Sequence, residues 1–276
     1  MINRATLNKT LSLKVRVYQY TILYAKNCTI SIRDEELNEE MVINKGNIAF
    51  FQRNINIRIT MIKNGECEPY EIHTLTNDTL VKLVKILEPV MSFPVEINRK
   101  NRSLYHKIFS VDGTDYHKFI FETVKKLKND NATIYALACL FIQVKQTNEI
   151  YSSLCISASR YFSDSVRKVL ESNLSKKWKL SNVSESLNLS EVAVRKKLES
   201  ENTSFNQLLL DVRMQKARNL ILDENHHISR ISSSLGMSST SYFIRIFSNY
   251  YGVTPKQFYL YYKGCRTIDI EEEKNI

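Results

Sequence analysis

The segment 229–259 constrains the fold of this chain most, because its apolar residues and its glycine describe two short helices joined by a tight turn. Ile231 and Leu235 stand four residues apart on the first helix, and two phenylalanines repeat that spacing on the second. Gly236 lies between them, where a left-handed backbone conformation is needed. This pattern is typical of a helix-turn-helix, whose second helix offers polar and basic side chains to the DNA major groove.

An earlier segment repeats this pattern. Residues 181–190 align with the first ten residues of the later segment and share serines and a leucine with them. Beyond the turn, Val194 and Leu198 take the places of the two phenylalanines. A chance likeness between two serine-rich helical hairpins is the alternative, but the turn, the caps and the core positions all agree. The sequence therefore predicts two helix-turn-helix units, at about 181–200 and 229–250.

The outward residues of the two second helices, together with the serines before them, are the predicted DNA contacts. Arginine can donate two hydrogen bonds to guanine, and an aliphatic side chain can contact a thymine methyl group. Serine hydroxyls at helix starts suit phosphate oxygens. Each residue could instead be a solvated surface side chain, although an apolar residue on an outward face favours a partner. The predicted DNA-binding residues are Ser190, Val192, Arg195, Lys196, Ser239, Thr240, Ser241, Ile244 and Arg245.

The charge of the chain supports a nucleic-acid partner. The formal net charge is +10, and basic residues outnumber acidic ones roughly two to one within 156–266, where both repeats lie. The alternative is a basic domain without a polyanion partner. A nucleoid-type DNA-binding protein or anti-silencer with little sequence readout is the competing DNA-binding function.

The first part of the chain indicates a different architecture. Between 14 and 75, apolar residues alternate with polar ones in several short runs, such as Ile55, Ile57 and Ile59, with turn signals between them. Such runs predict a small β-sandwich or β-barrel. The fold class is therefore α+β, with a helical second domain.

Helices are predicted to follow the β-rich part. Asp78 is the predicted cap of a helix that extends to residue 88, and a variable loop at about 95–112 precedes helices at 115–128 and 132–149. Their apolar faces could pair across a homodimer or pack inside one subunit, and both alternatives remain open. The apolar face of 132–149 comprises Ile134, Leu137, Ala138, Phe141 and Ile142.

The length of the chain predicts two domains. A linker at about 150–156 would separate a regulatory and dimerisation domain, 1–155, from a DNA-binding domain, 156–276. In the second domain, a helix at 157–174 comes first, and a helix at 205–222 joins the two helix-turn-helix units. At about 1.5 Å per residue, that joining helix would be roughly 27 Å long.

Other classes of function find little support in the sequence. No glycine-rich phosphate loop or Ser/His/Asp set is present, so no catalytic residue is predicted. The five cysteines form no CxxC pair, and no metal site is expected. The N-terminus lacks a signal-peptide core, and the longest apolar run is too short to span a bilayer. We expect a cytoplasmic, nucleoid-associated protein with no membrane partner.

The run SSTSYFIRIFSNYYGVTPKQF at 238–258 resembles the signature of the AraC/XylS family of transcription regulators. The stretches 17–30, 161–178 and 194–209 extend this resemblance to a branch of enterobacterial virulence regulators. The resemblance implies a cupin-like N-terminal domain with dimerisation helices and a C-terminal pair of helix-turn-helix units. It also implies A/T-rich target sites and activation of virulence or colonisation promoters, through contact with RNA polymerase and opposition to nucleoid silencing proteins.

The resemblance also implies a small anionic effector, a fatty acid or bicarbonate, and no other cofactor. In some members of that branch, a fatty-acid carboxylate is held between the two domains. Lys216 falls at the position of their domain-bridging lysine, while Tyr18 and Thr74 stand where those members have histidine and arginine. His73 is adjacent but would point to the other side of its strand. A surface lysine near DNA is the alternative role for Lys216.

Overall fold

The computed structural model of the chain divides into two compact units. One unit takes in Met1–Ser159 and Tyr261–Ile276, and the other takes in Arg160–Leu260. The residues that the structure describes are 9–65, 68–91, 102–127, 130–223 and 227–263.

Among the described residues of the first unit, eight strands form two four-stranded antiparallel sheets. The strands are Thr10–Val17 (β1), Thr21–Tyr24 (β2), Cys28–Asp34 (β3), Glu39–Ile43 (β4), Ile48–Phe51 (β5), Ile55–Lys63 (β6), Glu71–Thr74 (β7) and Ile108–Val111 (β8). The first sheet has the order β1-β6-β3-β4, and the second has the order β7-β2-β5-β8. The predicted cupin-like sandwich is confirmed.

Alternating burial along β6 explains how the strands of the first sheet pair. The isoleucines of β6 share one face because successive side chains of a strand point to opposite sides. Ile59 lies opposite Leu13 of β1 and opposite Ile32 of β3, and all three are buried. A one-residue slip of this register would turn the apolar set towards solvent, so the pattern fixes the pairing.

Four helices cover one face of the second sheet. Aromatic rings join the two layers: Phe141 lies 4.8 Å from Phe50 and 5.8 Å from Tyr20, and Tyr24 lies 5.7 Å from Phe121, between ring centroids. Such ring pairs add stability beyond the burial of their area. The four helices are Asn77–Leu87 (α1), Asp115–Lys126 (α2), Asp130–Phe141 (α3) and Thr147–Ala158 (α4).

The helical layer corrects several predictions. The cap of α1 is Thr76, whose hydroxyl oxygen accepts from the Thr79 N–H, so Asp78 lies within the first turn instead. The predicted loop at 95–112 contains a single helical turn and β8, and the part 92–101 lies outside the described residues. The predicted linker at 150–156 lies inside α4, because Ile150 and Leu154 are buried against the sheet.

The apolar face predicted for 132–149 packs within the first unit. Ile134, Leu137, Ala138 and Phe141 are buried there, whereas Ile142 is exposed. Of the two alternatives, the structure shows packing inside one subunit for these four residues. The predicted helix 132–149 ends at Phe141, and α4 starts at Thr147.

Six helices lie in the second compact unit, and a seventh follows them in the chain. The predicted helix 157–174 starts later, at Phe162, because the Glu201 carboxylate accepts hydrogen bonds from the Phe162 and Ser163 N–H groups at 2.5 and 3.0 Å and caps the helix there. The helices are Phe162–Glu171 (α5), Leu180–Ser186 (α6), Glu191–Ser200 (α7), Phe205–Ile221 (α8), Ile228–Ser234 (α9), Thr240–Tyr251 (α10) and Pro255–Lys263 (α11).

Candidate nucleic-acid interface

The two helix-turn-helix units are built by the same backbone turn. In the first helix-turn-helix unit, Asn188 has a φ of 52° and the Leu189 N–H donates to the Ser184 carbonyl at 2.9 Å. In the second unit, Gly236 has a φ of 64° and the next N–H donates to the equivalent serine carbonyl at 3.0 Å. The internal repeat is therefore confirmed, with asparagine and glycine both supplying the left-handed residue.

The repeated serines also have a shared role. The Ser184 hydroxyl donates to the Ser181 carbonyl at 2.8 Å, and the Ser232 hydroxyl donates to the Ser229 carbonyl at the same distance. Both hydroxyls are buried behind the recognition helix and need an acceptor there. This requirement explains why serine recurs at equivalent positions in the two units.

Serines also start the two recognition helices, α7 and α10. The Ser190 oxygen accepts from the Ala193 N–H at 3.2 Å, and the Ser239 oxygen accepts from the Tyr242 N–H at 3.1 Å. These bonds use oxygen lone pairs, so each hydroxyl proton is still available to donate to a phosphate oxygen. The caps thus agree with the predicted positions of Ser190 and Ser239 at helix starts.

The recognition helix of the first helix-turn-helix unit, α7, presents three predicted residues to solvent. Val194 and Leu198 are buried on its inner face, as predicted. On the outer face, Val192 is 59% exposed, and Arg195 and Lys196 are also exposed. An exposed valine beside two cations gives one surface that can contact both a thymine methyl group and the guanine edge or phosphate.

The second recognition helix differs from the prediction at one position. Ser241 and Arg245 are exposed, and Ile244 is 36% exposed, but Thr240 is half-buried. The Thr240 hydroxyl lies 3.4 Å from that of Ser232 on the preceding helix, because the first turn of α10 packs against α9. Thr240 therefore points partly inward.

Sequence reasoning missed a residue beside Arg245. Tyr242 is exposed, and the Arg245 guanidinium lies 5.3 Å from the centroid of its ring. A cation held over an aromatic face loses less conformational freedom when it binds a base edge. The three-residue spacing on one helix could have indicated this pair, because residues three apart are neighbours on the helix surface.

Helix α8 contacts both helix-turn-helix units: it is hydrogen-bonded to the second, and its Leu208 is buried in one cluster with Val194 and Leu198 of the first. On the side of the second unit, the Tyr250 hydroxyl donates to the buried Asp211 carboxylate at 2.9 Å. On the side of the first unit, Arg213 Nη2 donates to the carbonyl of Lys176, in the segment before α6, at 3.0 Å. These contacts hold the second helix-turn-helix unit and the segment before the first one to the same helix.

The predicted ligand residues lie in different surroundings. Lys216 is an exposed residue of α8 in the second compact unit. In the first compact unit, Tyr18 is buried, with the Arg16 guanidinium 5.1 Å from its ring centroid, and Thr74 is exposed. Tyr18 and Thr74 therefore differ in their access to solvent.

His73 faces the helical layer of the first unit. It pairs with Ile22 across β2 and β7, and directly opposed residues share a face of the sheet. Thr74 pairs with Thr21 and points to the other face, which agrees with the expected opposite directions of His73 and Thr74. Burial lowers the pKa of His73, and the Lys125 ammonium group lowers it further.

We expect His73 to make the stability of the chain depend on pH. Because the folded protein disfavours the imidazolium form, the unfolded chain binds the proton first as the pH falls below about 6.5, the ordinary histidine pKa. The free energy of unfolding should therefore decrease below that pH. Melting temperatures at about pH 5.5 and about pH 7.5 should differ less in His73→Gln than in the parent chain. An unchanged difference would contradict the prediction.

Other kinds of site find no support in the part of the chain that the structure describes. No set of three or more His, Cys, Asp or Glu side chains is placed there to hold a metal ion. In the same residues, no helix is both long enough and apolar enough to cross a membrane.

Comparisons with known proteins agree with the geometry of the second unit. Residues 183–259 match a family model described as a helix-turn-helix domain. The chain is 42% identical over 253 residues to the virulence regulon transcriptional activator VirF of Shigella flexneri, covering 92% of this chain and 96% of the relative. It is 38% identical over 253 residues to the DNA-binding dual transcriptional regulator Rns of Escherichia coli, covering 91% and 94%.

A solved structure shows a similar fold. Wild-type ToxT from Vibrio cholerae with a bound unsaturated fatty acid has a TM-score of 0.61 to this chain, at 14% identity and with 93% of each chain covered. At that identity, the likeness concerns the arrangement of strands and helices.

Proposed function

This chain belongs to the AraC/XylS family of helix-turn-helix transcription regulators, and we propose that it is a sequence-specific activator of virulence or colonisation genes at A/T-rich promoters. The family relationship supports this proposal, because VirF is a virulence regulon activator by name. In the proposed function, the chain acts in the cytoplasm on the nucleoid and contacts RNA polymerase. It has no catalytic role.

One observation carries the proposal: two helix-turn-helix units with the same turn both pack on one helix, α8. Helix α8 has 17 residues and is therefore about 26 Å long at 1.5 Å per residue. Successive major grooves on one side of a duplex lie about 34 Å apart. A rod of this length supports binding of two recognition helices to neighbouring turns of one duplex.

Footprinting on an A/T-rich promoter fragment tests this function. A sequence-specific regulator should protect a discrete segment of roughly two helical turns and leave the flanks open to cleavage. A nucleoid-type protein or anti-silencer, the competing function, would cover the fragment evenly. Uniform coverage at every protein concentration would reject the proposed function.

We further propose that a small anion, a fatty acid or bicarbonate, regulates the chain through Lys216 together with Tyr18, His73 or Thr74. Two observations support an anion. Lys216 is an exposed cation on the helix that joins the DNA-binding units, and a protein of the same fold, ToxT, has been solved with an unsaturated fatty acid bound. The carboxylate of a fatty acid is a suitable partner for an exposed lysine ammonium group.

Decanoate should raise the melting temperature of the chain if this proposal is correct. A ligand that binds only the folded state at a hundred times its dissociation constant adds about 2.7 kcal/mol to the free energy of unfolding, which is a shift of several degrees. Lys216→Gln should remove most of the shift, whereas Lys256→Gln, which removes another exposed lysine, should retain it. No shift at saturating decanoate would reject fatty-acid control.

A homodimer is the remaining proposed partner. Exposed aromatic residues support it: Phe119 of α2 is 69% exposed and Tyr135 of α3 is 62% exposed. Exposed aromatic side chains on neighbouring helices are typical of protein interfaces. The proposed contact surface therefore uses the outward sides of these helices, since their inward sides are already buried.

A further inference from the structure

A concave site lies in the first compact unit, at the edge of the sandwich where each sheet ends. The cavity has a volume of about 610 Å³ and is lined by residues of β4 and β8, which are terminal strands of the two sheets. The single helical turn 104–106 and the start of α4 complete its walls. Small-molecule sites commonly have volumes of about 300–1,000 Å³, so a compact organic ligand would fit.

The cavity walls expose apolar and aromatic surface. Val42 of β4 is 55% exposed, and Tyr105 is exposed to the same fraction. The Tyr105 hydroxyl donates to the Glu40 carbonyl at 2.7 Å, which holds the ring in place beside β4. A fixed ring and an aliphatic side chain that face one concave space favour a ligand with an apolar body.

The charge of the cavity has the opposite sign to that of the chain. Its walls include the carboxylates of Glu40 and Glu149 but no lysine or arginine, although the net charge of the protein is +10. Glu40 lies 3.5 Å from the exposed Arg33 guanidinium. Glu149 is half-buried, and within the described parts of the chain its carboxylate has neither an ion pair nor a hydrogen bond.

Two cations beside the lining turn 104–106 have other partners. Arg102 donates to the Gln52 side chain and to the His106 carbonyl, both at 2.5 Å. Lys107 lies 3.7 Å from the Asp34 carboxylate. Among the described residues, no cation forms an ion pair with the half-buried Glu149 carboxylate in the first turn of α4.

We propose that this cavity binds a small organic cation, a primary amine on an aromatic or short aliphatic body. The ammonium group donates to the Glu149 carboxylate, and a charge-assisted bond of this kind is about twice as strong as a neutral one. The apolar body contacts Val42 and the face of Tyr105, where a ring also attracts a nearby cation. This cation site shares no residue with the proposed anion site or with the predicted DNA contacts.

Calorimetric titration of the full chain with 4-phenylbutylamine tests the proposal. Two matched compounds keep the same body: 4-phenylbutan-1-ol has no charge, and 4-phenylbutyrate has the opposite charge. We expect saturable binding of one amine per chain and weaker binding of the alcohol and the carboxylate. Glu149→Gln should weaken amine binding about tenfold or more, because the charged acceptor is lost. Glu36→Gln removes an exposed carboxylate outside the cavity and should have no effect.

A second variant tests the location. Val42→Lys changes an exposed position, so the fold should be retained, and its ammonium group would occupy the cavity and abolish amine binding. Thermal melts confirm that each variant is folded. The proposal is overturned if millimolar amine gives no saturable heat, if the alcohol binds as tightly as the amine, or if Glu149→Gln and Val42→Lys leave amine binding unchanged.

Discussion

Gly236→Ala should destabilise the second helix-turn-helix unit more than the same substitution at the other described glycine of that region, Gly252. A side chain at this position must adopt a left-handed backbone conformation with a φ of 64°. An added Cβ would also lie 2.6 Å from the Ser175 carbonyl oxygen and 2.9 Å from Arg213 Nη2. We expect the free energy of unfolding to fall by about 3 kcal/mol and the melting temperature by roughly 10 °C or more.

Gly252→Ala is the matched control for that change. Gly252 also has a positive φ, of 82°, but a Cβ added there meets nothing within 4 Å. The control therefore includes backbone strain without a steric clash and should cost about 1 kcal/mol. The difference between the two variants, measured by chemical unfolding, isolates the contact between Gly236 and the segment before α6. Equal costs would show that this close approach is absent in solution.

Loss of the Arg245 side chain should weaken binding to a specific promoter site by about 1–3 kcal/mol, which is roughly five- to 150-fold. Arg245 lies exposed on α10 with its guanidinium over the Tyr242 ring, in a position to donate two hydrogen bonds to a guanine edge. Competition binding with specific and random DNA, at one salt concentration, measures the effect of Arg245→Ala. Affinity for random DNA should change little.

Two further substitutions make the Arg245 result interpretable. Lys196→Ala should weaken specific and random DNA binding alike and reduce the salt slope by about 0.9, if its ammonium group contacts a phosphate. Arg33→Ala removes the same charge as Arg245→Ala from the first unit and should leave both affinities unchanged. An equal loss on random DNA for Arg245→Ala would assign Arg245 to the phosphates and contradict base readout.

The helix-turn-helix units could be predicted because their signals are local. The spacing of Phe243 and Phe247, the left-handed Gly236 and the caps at Ser190 and Ser239 all act within a few residues of one another. Each signal has a physical cause that the sequence displays directly: a buried helix face, a strained turn and unpaired N–H groups.

The second sheet could not be predicted in the same way. All four residues of β5 are buried, because one face packs on the helices and the other lies inside the sandwich, so no alternation appears. The short strand β8 was hidden in a predicted loop for a similar reason, since its pairing with β5 is a long-range contact. Thr76 and Asp78 are both good capping residues, and only the structure distinguishes them.

The cavity beside Glu149 was also beyond sequence reasoning. Glu40, Tyr105 and Glu149 are far apart in the chain and meet only where two sheet edges and a helix start converge. No periodic pattern marks such a meeting point, because each residue reads as an ordinary surface side chain in its own segment. Sites built from tertiary contacts therefore require coordinates.

The contacts of α8 with both helix-turn-helix units have a consequence for promoter architecture. A protein that contacts DNA through two recognition helices held by one stiff helix cannot adapt to a change in the distance between the two contact sequences. Inserting a single base pair between the two contact sequences would rotate one of them by about 35° around the duplex axis. Promoters that use this regulator should therefore tolerate substitutions between the two contact sequences far better than insertions or deletions.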